Sequence, residues 1–130
     1  MRRPARRDQD GSAVVDFVLV LVVLVPLFLG ILQVSLVLFV RNTLAAAASE
    51  GARYAATADR GPGDGEALTR AQLSGVVSGR FAQGIRVQEV LVGGAPGVAV
   101  TVRASVPALG LGGPSVDLEV VGRAVEETVP

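Results

Sequence analysis

The chain has 130 residues, half of them apolar, and twelve arginines balance twelve acidic residues, so the net charge favours no electrostatic partner. Cysteine, histidine and lysine are absent, which excludes disulfides and thiolate metal sites and removes the commonest general base and the amine nucleophile. We therefore expect a structural protein rather than an enzyme, with no metal, no cofactor and no small-molecule substrate. No basic patch with interleaved aromatic residues is present, so nucleic acid is not an expected partner.

A short polar leader, with four arginines in residues 1–10, precedes a long apolar run. Twenty of the twenty-four residues in 17–40 are Val, Leu, Ile or Phe. As a helix this run would be about 36 Å long at roughly 1.5 Å per residue, enough to cross a hydrocarbon core of about 30 Å. We therefore predict one membrane-spanning helix over residues 12–40, with the lipid bilayer as its partner.

Three residues inside the apolar run are candidates for helix packing within the membrane. Pro26 and Gly30 lie four residues apart and indicate either a point of close helix contact or a simple bend. Gln33 is a candidate for an interhelical hydrogen bond, worth about 0.6 kcal/mol; the alternative is a polar residue that the bilayer tolerates. We assign all three to expected helix packing.

The helix is expected to leave the membrane and continue over residues 41–59, where alanine, the best helix former, is abundant. Glu50 and Arg53, three residues apart, are expected to form a helix-supporting ion pair. Small apolar residues recur at three- and four-residue spacing and form one face, which would let another helix approach closely: Leu44, Ala48, Ala52 and Ala55.

Residues 60–66 are rich in glycine and proline and are predicted to be a linker. The linker leads to a small head, residues 67–130. A second helix is expected from Asp64, its candidate N-cap. The apolar side of this helix is predicted to consist of Leu68, Leu73, Val76, Val77 and Phe81.

Three strands are predicted after the second helix, at residues 85–92, 98–106 and 115–127. The middle strand alternates strictly, and its apolar residues share one face: Val98, Val100, Val102, Ala104 and Val106. Three strands with one face covered by helix make a stable head, which a lone hairpin would not. The predicted fold class is an α+β membrane protein with a long N-terminal helix, a second helix and about three antiparallel strands.

The arginines predict the orientation in the membrane. Four precede the span, and two, Arg41 and Arg53, lie in the eighteen residues after it. The positive-inside rule then places the N-terminus in the cytoplasm and the head outside. The expected location is the cytoplasmic membrane, with a single pass.

A glycine, Gly11, stands five residues before an acid, Asp16, at the start of the span. One interpretation is cleavage between Gly11 and Ser12, since glycine has no side chain to obstruct a peptidase that binds extended backbone. The new Ser12 ammonium would then share a helix face with Asp16. Opposite charges 4 Å apart attract by about 4 kcal/mol at an effective dielectric of about 20, before desolvation is subtracted.

Two other interpretations leave this junction intact. An acid in the first turn of a helix is favoured by the macrodipole, by about 0.3–1 kcal/mol, and Gly11 would then be a joint before a plain anchor. Conventional signal cleavage near residues 45–48 would remove the membrane segment itself. Local physics leaves the choice between cleavage at Gly11 and the plain anchor open.

Three stretches resemble one family. Residues 11–17, GSAVVDF, combine a glycine, four small or apolar residues, an acid and the aromatic Phe17. Residues 25–32, VPLFLGIL, are an apolar stretch with an internal proline and glycine. Residues 41–56 contain Glu50-Gly51-Ala52-Arg53-Tyr54-Ala55. Together they cover about residues 11–58. They resemble the TadE/TadF-like family, the minor pseudopilins of the tight-adherence (Tad/Flp) pilus machinery.

The resemblance implies a function and a processing site. Residues 1–11 would be a leader removed by a prepilin-type aspartic peptidase, with Asp16 and Phe17 recognised beside the junction. Asp16 departs from the family, in which glutamate is usual; it keeps the charge with one methylene less. Other pilin-like subunits and the pilus assembly platform would be partners, and the surface pilus a further location.

Two alternatives remain beside this resemblance. The protein would otherwise be an uncleaved single-pass anchor whose exocytoplasmic head binds an envelope partner. Arg53 and Tyr54 would be either subunit contacts or a solvated arginine beside a packed tyrosine.

Overall fold

A computed structural model describes the backbone of residues 7–76 and 82–128 and the side chains of residues 9–75 and 84–128. The predicted α+β architecture is confirmed, with one long N-terminal helix, a second helix and three antiparallel strands. Residues 1–6 of the predicted leader, and Val77 and Phe81 of the second helix's predicted apolar side, lie outside the described residues. The elements in chain order are α1 (Arg7–Ala55), α2 (Pro62–Val76), β1 (Ala82–Val92), β2 (Ala95–Pro107), a 3-10 turn (Ala108–Gly110) and β3 (Ser115–Val125).

The chain divides into two compact units, Met1–Val34 and Ser35–Pro130. In the first unit, the valines, leucines and phenylalanines of α1 are exposed around the whole helix. The most apolar 18-residue window has a mean hydropathy of 2.9, and none of it is buried within the protein. Among the described residues, α1 is the one helix long and apolar enough to cross a membrane. This finding fits a single-pass membrane protein.

In the second unit, α1 buries one face. Leu44, Ala48 and Ala52 are fully buried, and Ala55 is 3% exposed, so the small apolar face predicted from the sequence exists. It packs against the unit's own sheet, and a second helix, α2, also meets it, at Ala55 and through Leu73 in the same core. Since small side chains bring the helix axis close to the strands, this face positions α1 on the sheet.

The sheet has the order β1-β2-β3, with both neighbouring pairs antiparallel. Val92 pairs with Ala95 across a two-residue turn, Gly93-Gly94, whose positive φ angles of 60° and 86° suit a tight hairpin. The inward face predicted for β2 is confirmed, because its residues are at most 2% exposed: Val98, Val100, Val102, Ala104 and Val106. Ala99, on the opposite face, is also buried, at 6%, so burial does not alternate over the whole strand.

The ends of the two helices differ from the prediction. Helix α2 begins at Pro62, whose fixed φ suits a first helical position. Asp64 is therefore a first-turn residue and not the N-cap, and its carboxylate accepts a hydrogen bond from the Gly61 N–H at 2.9 Å. Helix α1 ends at Ala55 instead of continuing to residue 59. The Ala56 carbonyl instead accepts a hydrogen bond from the Glu127 N–H, at 2.9 Å.

Strand β3 makes the closest approach to α1. A Cβ added at Gly122 would lie 2.5 Å from the Ala48 carbonyl oxygen and would also overlap the Ala48 carbonyl carbon and the Ser49 nitrogen. All three atoms belong to the backbone and have no rotamer by which to yield. Gly122 therefore lets the strand touch the helix backbone.

Candidate functional site

The predicted processing junction lies inside the first turns of α1. Helix α1 begins at Arg7, so Gly11 and Ser12 are helical, and both are exposed. A Cβ built on Gly11 meets no atom within 4 Å. Glycine disfavours helix by about 1 kcal/mol relative to alanine. The Gly11–Ser12 bond is thus accessible, in a part of the helix that unwinds at low cost.

The acid beside the junction is exposed and pairs with no cation among the described residues. Asp16 and Phe17 both project from the exposed surface of α1. The two ion pairs within the described part of the chain join Glu66 to Arg70 and Arg103 to Glu119, each at 2.7 Å. Asp16 lies four residues after Ser12, one helical turn away on the same face.

The position at which α1 begins decides whether the helix macrodipole could favour the negative charge of Asp16. The macrodipole acts on charges within the first turn of a helix. Because α1 begins at Arg7, Asp16 lies more than two turns inside it in the uncleaved chain. Its position would become one turn from the N-terminus only in a chain that begins at Ser12.

The candidate packing residues of the span lie within the continuous helix. Pro26 is inside α1 and exposed, and a Cβ built on Gly30 meets no atom within 4 Å. Gln33 is half-buried. The helix surface at Gly30 itself is therefore open.

The segment Glu50 to Ala55 divides into an inner and an outer side. Gly51, Ala52 and Ala55 are buried, whereas Glu50 and Arg53 are exposed. No ion pair within 4.0 Å joins Glu50 to Arg53, so the predicted pair is not formed. At three residues' spacing on an exposed surface such a pair gains only about 0.2–0.5 kcal/mol, too little to hold two flexible side chains together.

Gly51 is where α1 and α2 touch. A Cβ added there would overlap the Thr69 hydroxyl and lie 3.0 Å from the Gly65 carbonyl oxygen. A Cβ added at Gly65 would lie 2.6 Å from both the Ala55 Cβ and the Gly51 carbonyl oxygen. Thr69 is fully buried at this crossing and donates a hydrogen bond to the Gly65 carbonyl oxygen at 2.8 Å. The two glycines therefore set the distance between the helices.

Tyr54 packs at the end of α1. The Arg60 guanidinium carbon lies 3.8 Å from the centroid of the Tyr54 ring, in a cation–π contact. Tyr54 is half-buried and Arg53 beside it is exposed. This arrangement matches a solvated arginine and a packed tyrosine, and it leaves Arg53 accessible to another subunit.

Sequence reasoning missed three residues of these contacts. Gly65 was assigned to the linker, Thr69 carried no signal beyond an ordinary helical position, and Gly122 stood in a predicted strand. Their partners lie far away along the chain, so no local pattern marks them. One glycine in each helix, Gly51 in α1 and Gly65 in α2, is the signal that could have indicated a close crossing.

The described residues contain no group of three or more acidic side chains that could hold a metal ion. Their open depressions lie on the outer face of the sheet, beside the β1–β2 hairpin and between the two helices. Thr101 and Glu119 line one of them and Thr43 and Glu50 another, but Glu119 pairs with Arg103 and the Thr43 hydroxyl donates a hydrogen bond to the Phe39 carbonyl.

A comparison with family models matches residues 11–53 to a family described as TadE-like protein. This match confirms the resemblance predicted from the sequence. No curated protein and no solved structure matches the chain. The match begins at Gly11 and ends at Arg53, so it spans the junction, the apolar run and most of the Glu50–Ala55 segment.

Proposed function

Because residues 11–53 of this chain are TadE-like, we propose that the protein is a pseudopilin-like structural component of a tight-adherence pilus or a related secretion apparatus. The family match supports an association with such pili. The exposed apolar helix fits anchoring by a single pass in the membrane. We assign the chain no reaction of its own; a prepilin-type aspartic peptidase acts on it between Gly11 and Ser12.

The observation that carries the proposal is where the family match begins. It starts at Gly11, the last residue of the proposed leader, and leaves out the arginine-rich residues before it. A family defined by the mature chain and its junction would begin there.

The charge of Asp16 supports cleavage at the same bond. In the uncleaved chain, Asp16 lies too far inside α1 for the helix dipole to favour it. In a chain that begins at Ser12, the terminal ammonium lies one turn away and supplies the missing opposite charge. The terminal ammonium of a neighbouring subunit would serve the same purpose when two such helices lie side by side.

The open side of the membrane helix supports assembly with other subunits. Gly30 leaves room for a second helix, and Pro26 and Gln33 lie within one turn of it. Small residues promote close packing where lipid gives no hydrophobic driving force. We assign Pro26, Gly30 and Gln33 to contacts with pilin-like subunits or the assembly platform. The arginine distribution favours a cytoplasmic N-terminus and an external head.

The experiment compares matched glycine variants in the native host. Gly11→Leu places a large side chain at the junction, and Gly30→Leu places the same side chain at an equally open glycine of the same helix. We expect Gly11→Leu to accumulate with its leader retained and Gly30→Leu to be processed normally, as measured by intact mass of the membrane-extracted protein.

Equal processing of both variants would refute cleavage at Gly11. A retained leader in the unmodified chain as well would favour the alternative, an uncleaved anchor whose head binds an envelope partner. Loss of piliation in Gly30→Leu despite normal processing would separate the packing role of the helix from its processing.

A further inference from the structure

The loop between β2 and β3 exposes leucines in an uncharged stretch. Leu111 is 86% exposed and Leu109 is 38% exposed. Val116 follows at the start of β3 and is 44% exposed. Residues 107–116, PALGLGGPSV, carry no charged side chain. Turns at a protein surface ordinarily favour Gly, Pro, Asn, Asp and Ser, so two exposed leucines here call for an apolar partner.

Strand β3 runs alongside α1 in the same direction. Gly122 lies against Ala48, and further along both elements the Glu127 N–H donates a hydrogen bond to the Ala56 carbonyl at 2.9 Å. The two contacts follow each other in the same order on the strand and on the helix. The start of β3 therefore lies toward the earlier residues of α1.

The distances place the β2–β3 loop level with the first residues of α1 in the second unit. From Gly122 back to Ser115 the strand covers about 23 Å at roughly 3.3 Å per residue. From Ala48 back to Ser35 the helix covers about 20 Å at roughly 1.5 Å per residue. The loop thus lies at the end of this unit where α1 enters it.

Exposed apolar side chains of α1 occur at the same end. Leu38 and Phe39 belong to the second unit, are about half-exposed and complete the apolar run of the membrane span. Leu109, Leu111 and Val116 add to that surface from the loop and from β3. One end of the unit is therefore apolar on two separate elements.

The opposite end of the sheet is acidic. Glu89 and Glu126 line a shallow depression beside the β1–β2 hairpin, and Glu127 follows. Leu91 is exposed there, at 75%, but it stands among these carboxylates. The β2–β3 loop thus carries no charge before Asp117, which is exposed on β3, whereas the hairpin end carries three carboxylates. The uncharged loop is the part of this unit that fits contact with lipid.

Backbone hydrogen bonds hold the β2–β3 loop in one shape. The Ala108 N–H donates to the Pro114 carbonyl at 3.0 Å, and the Leu111 N–H donates to the Ala108 carbonyl at 3.1 Å. Leu109 has a φ of 51°, in the left-handed region that leucine rarely adopts.

We propose that the β2–β3 loop inserts Leu109 and Leu111 into the interfacial region of the lipid bilayer and so docks this end of the second unit on the membrane surface. The inference rests on the membrane span of the proposed function and is independent of leader cleavage. Its occupant is lipid, because the loop lies at the same end of the unit as Leu38 and Phe39, the last exposed apolar residues of the predicted span.

The test uses the natural absence of cysteine. Single-cysteine variants Leu111→Cys, Leu91→Cys and Val22→Cys of the full chain are labelled with an environment-sensitive nitrobenzoxadiazole probe. The chains are reconstituted in vesicles of phosphatidylethanolamine and phosphatidylglycerol. Leu91→Cys is the matched control, an exposed leucine at the acidic end of the same sheet, and Val22→Cys reports on the span.

We expect the Leu111→Cys probe to emit at shorter wavelength than the Leu91→Cys probe. Iodide in the water should quench it several-fold less, and spin-labelled lipids should quench it more. Equal aqueous quenching at both positions, with the Val22→Cys probe in lipid, would overturn the docking inference and leave the span intact.

Two further outcomes would also overturn the inference. Aqueous quenching at Val22→Cys would remove the span and the docking together. Protection of the Leu111→Cys probe in native membranes but not in pure lipid vesicles would show a protein partner instead of lipid.

Discussion

Gly122 offers the sharpest test of how the sheet rests on α1. The variant Gly122→Ala adds a Cβ whose three nearest atoms are all backbone, with the Ala48 carbonyl oxygen at 2.5 Å. Carbon contacts are most favourable at about 3.5–4.0 Å, so helix and strand must separate by about 1 Å. A gap of about 0.5–1 Å forfeits a quarter to a half of each contact.

The net cost follows from two opposing effects. Overpacking of a well-packed site costs about 1–3 kcal/mol, and the upper part of this range applies because no rotamer relieves the overlap. Replacing glycine within a strand returns about 0.5–1 kcal/mol of conformational entropy. We expect a net destabilisation of about 1–2.5 kcal/mol, or about a 5- to 60-fold loss of protection, since about 1.4 kcal/mol corresponds to a factor of ten.

Native-state hydrogen exchange of the full chain in detergent micelles measures this loss at the β2 amides, independently of the membrane helix. Gly84→Ala is the matched control, because Gly84 lies in a strand and its Cβ would meet no atom within 4 Å. We expect Gly84→Ala to leave β2 protection unchanged or slightly raised. Equal protection in the two variants would refute the account of the helix–strand contact.

Three further predictions use the same protein. Asp16→Asn should slow leader removal or assembly in the native host. Its control is Asp10→Asn, which changes an exposed acid of the leader and should slow neither; equal effects of the two variants would contradict a specific role for Asp16. Gly51→Ala should lower β2 protection because its Cβ overlaps the Thr69 hydroxyl, and Thr69→Ala should partly restore it; absence of any rescue would contradict the crossing. Gly75→Ala, on an open part of α2, should stabilise by about 0.5–1 kcal/mol in thermal unfolding, and a loss of stability would contradict the open environment.

The local patterns of the sequence predicted the elements of the fold well. The inward face of β2 could be predicted because its five apolar residues all lie in the core beside buried residues of α1. The apolar run was readable because membrane helices need long uncharged segments. Both signals arise within one element and require no knowledge of its neighbours.

The contacts between elements were not predictable in the same way. The small face of α1 and the close approach of another helix could be predicted, but the sheet that also covers this face could not. Gly122 and Ala48 are in contact although most of the sequence of the second unit lies between them. A single glycine in a strand does not indicate which residue it contacts. The start of α2 was predicted at Asp64, but the helix begins at Pro62, and the Asp64 carboxylate accepts a hydrogen bond from the Gly61 N–H before it. The sequence offers a start at either position and does not decide between them.

The candidate processing site was predictable only in part. Gly11 and Asp16 are unusual at the start of a span, yet local physics left cleavage and a plain anchor open. The family resemblance favoured cleavage, and the family match covers residues 11–53, the segment in which the resemblance lies. The start of α1 at Arg7 adds that the helix dipole gives Asp16 little support in the uncleaved chain.

The most direct test of the central claim is the N-terminus of the protein isolated from membranes of its native host. N-terminal sequencing and intact mass are compared between that host and a strain that lacks the prepilin peptidase. We predict a chain that begins at Ser12 in the first and keeps residues 1–11 in the second. A chain with its leader intact in both strains would contradict pseudopilin processing and return the protein to the class of uncleaved anchors.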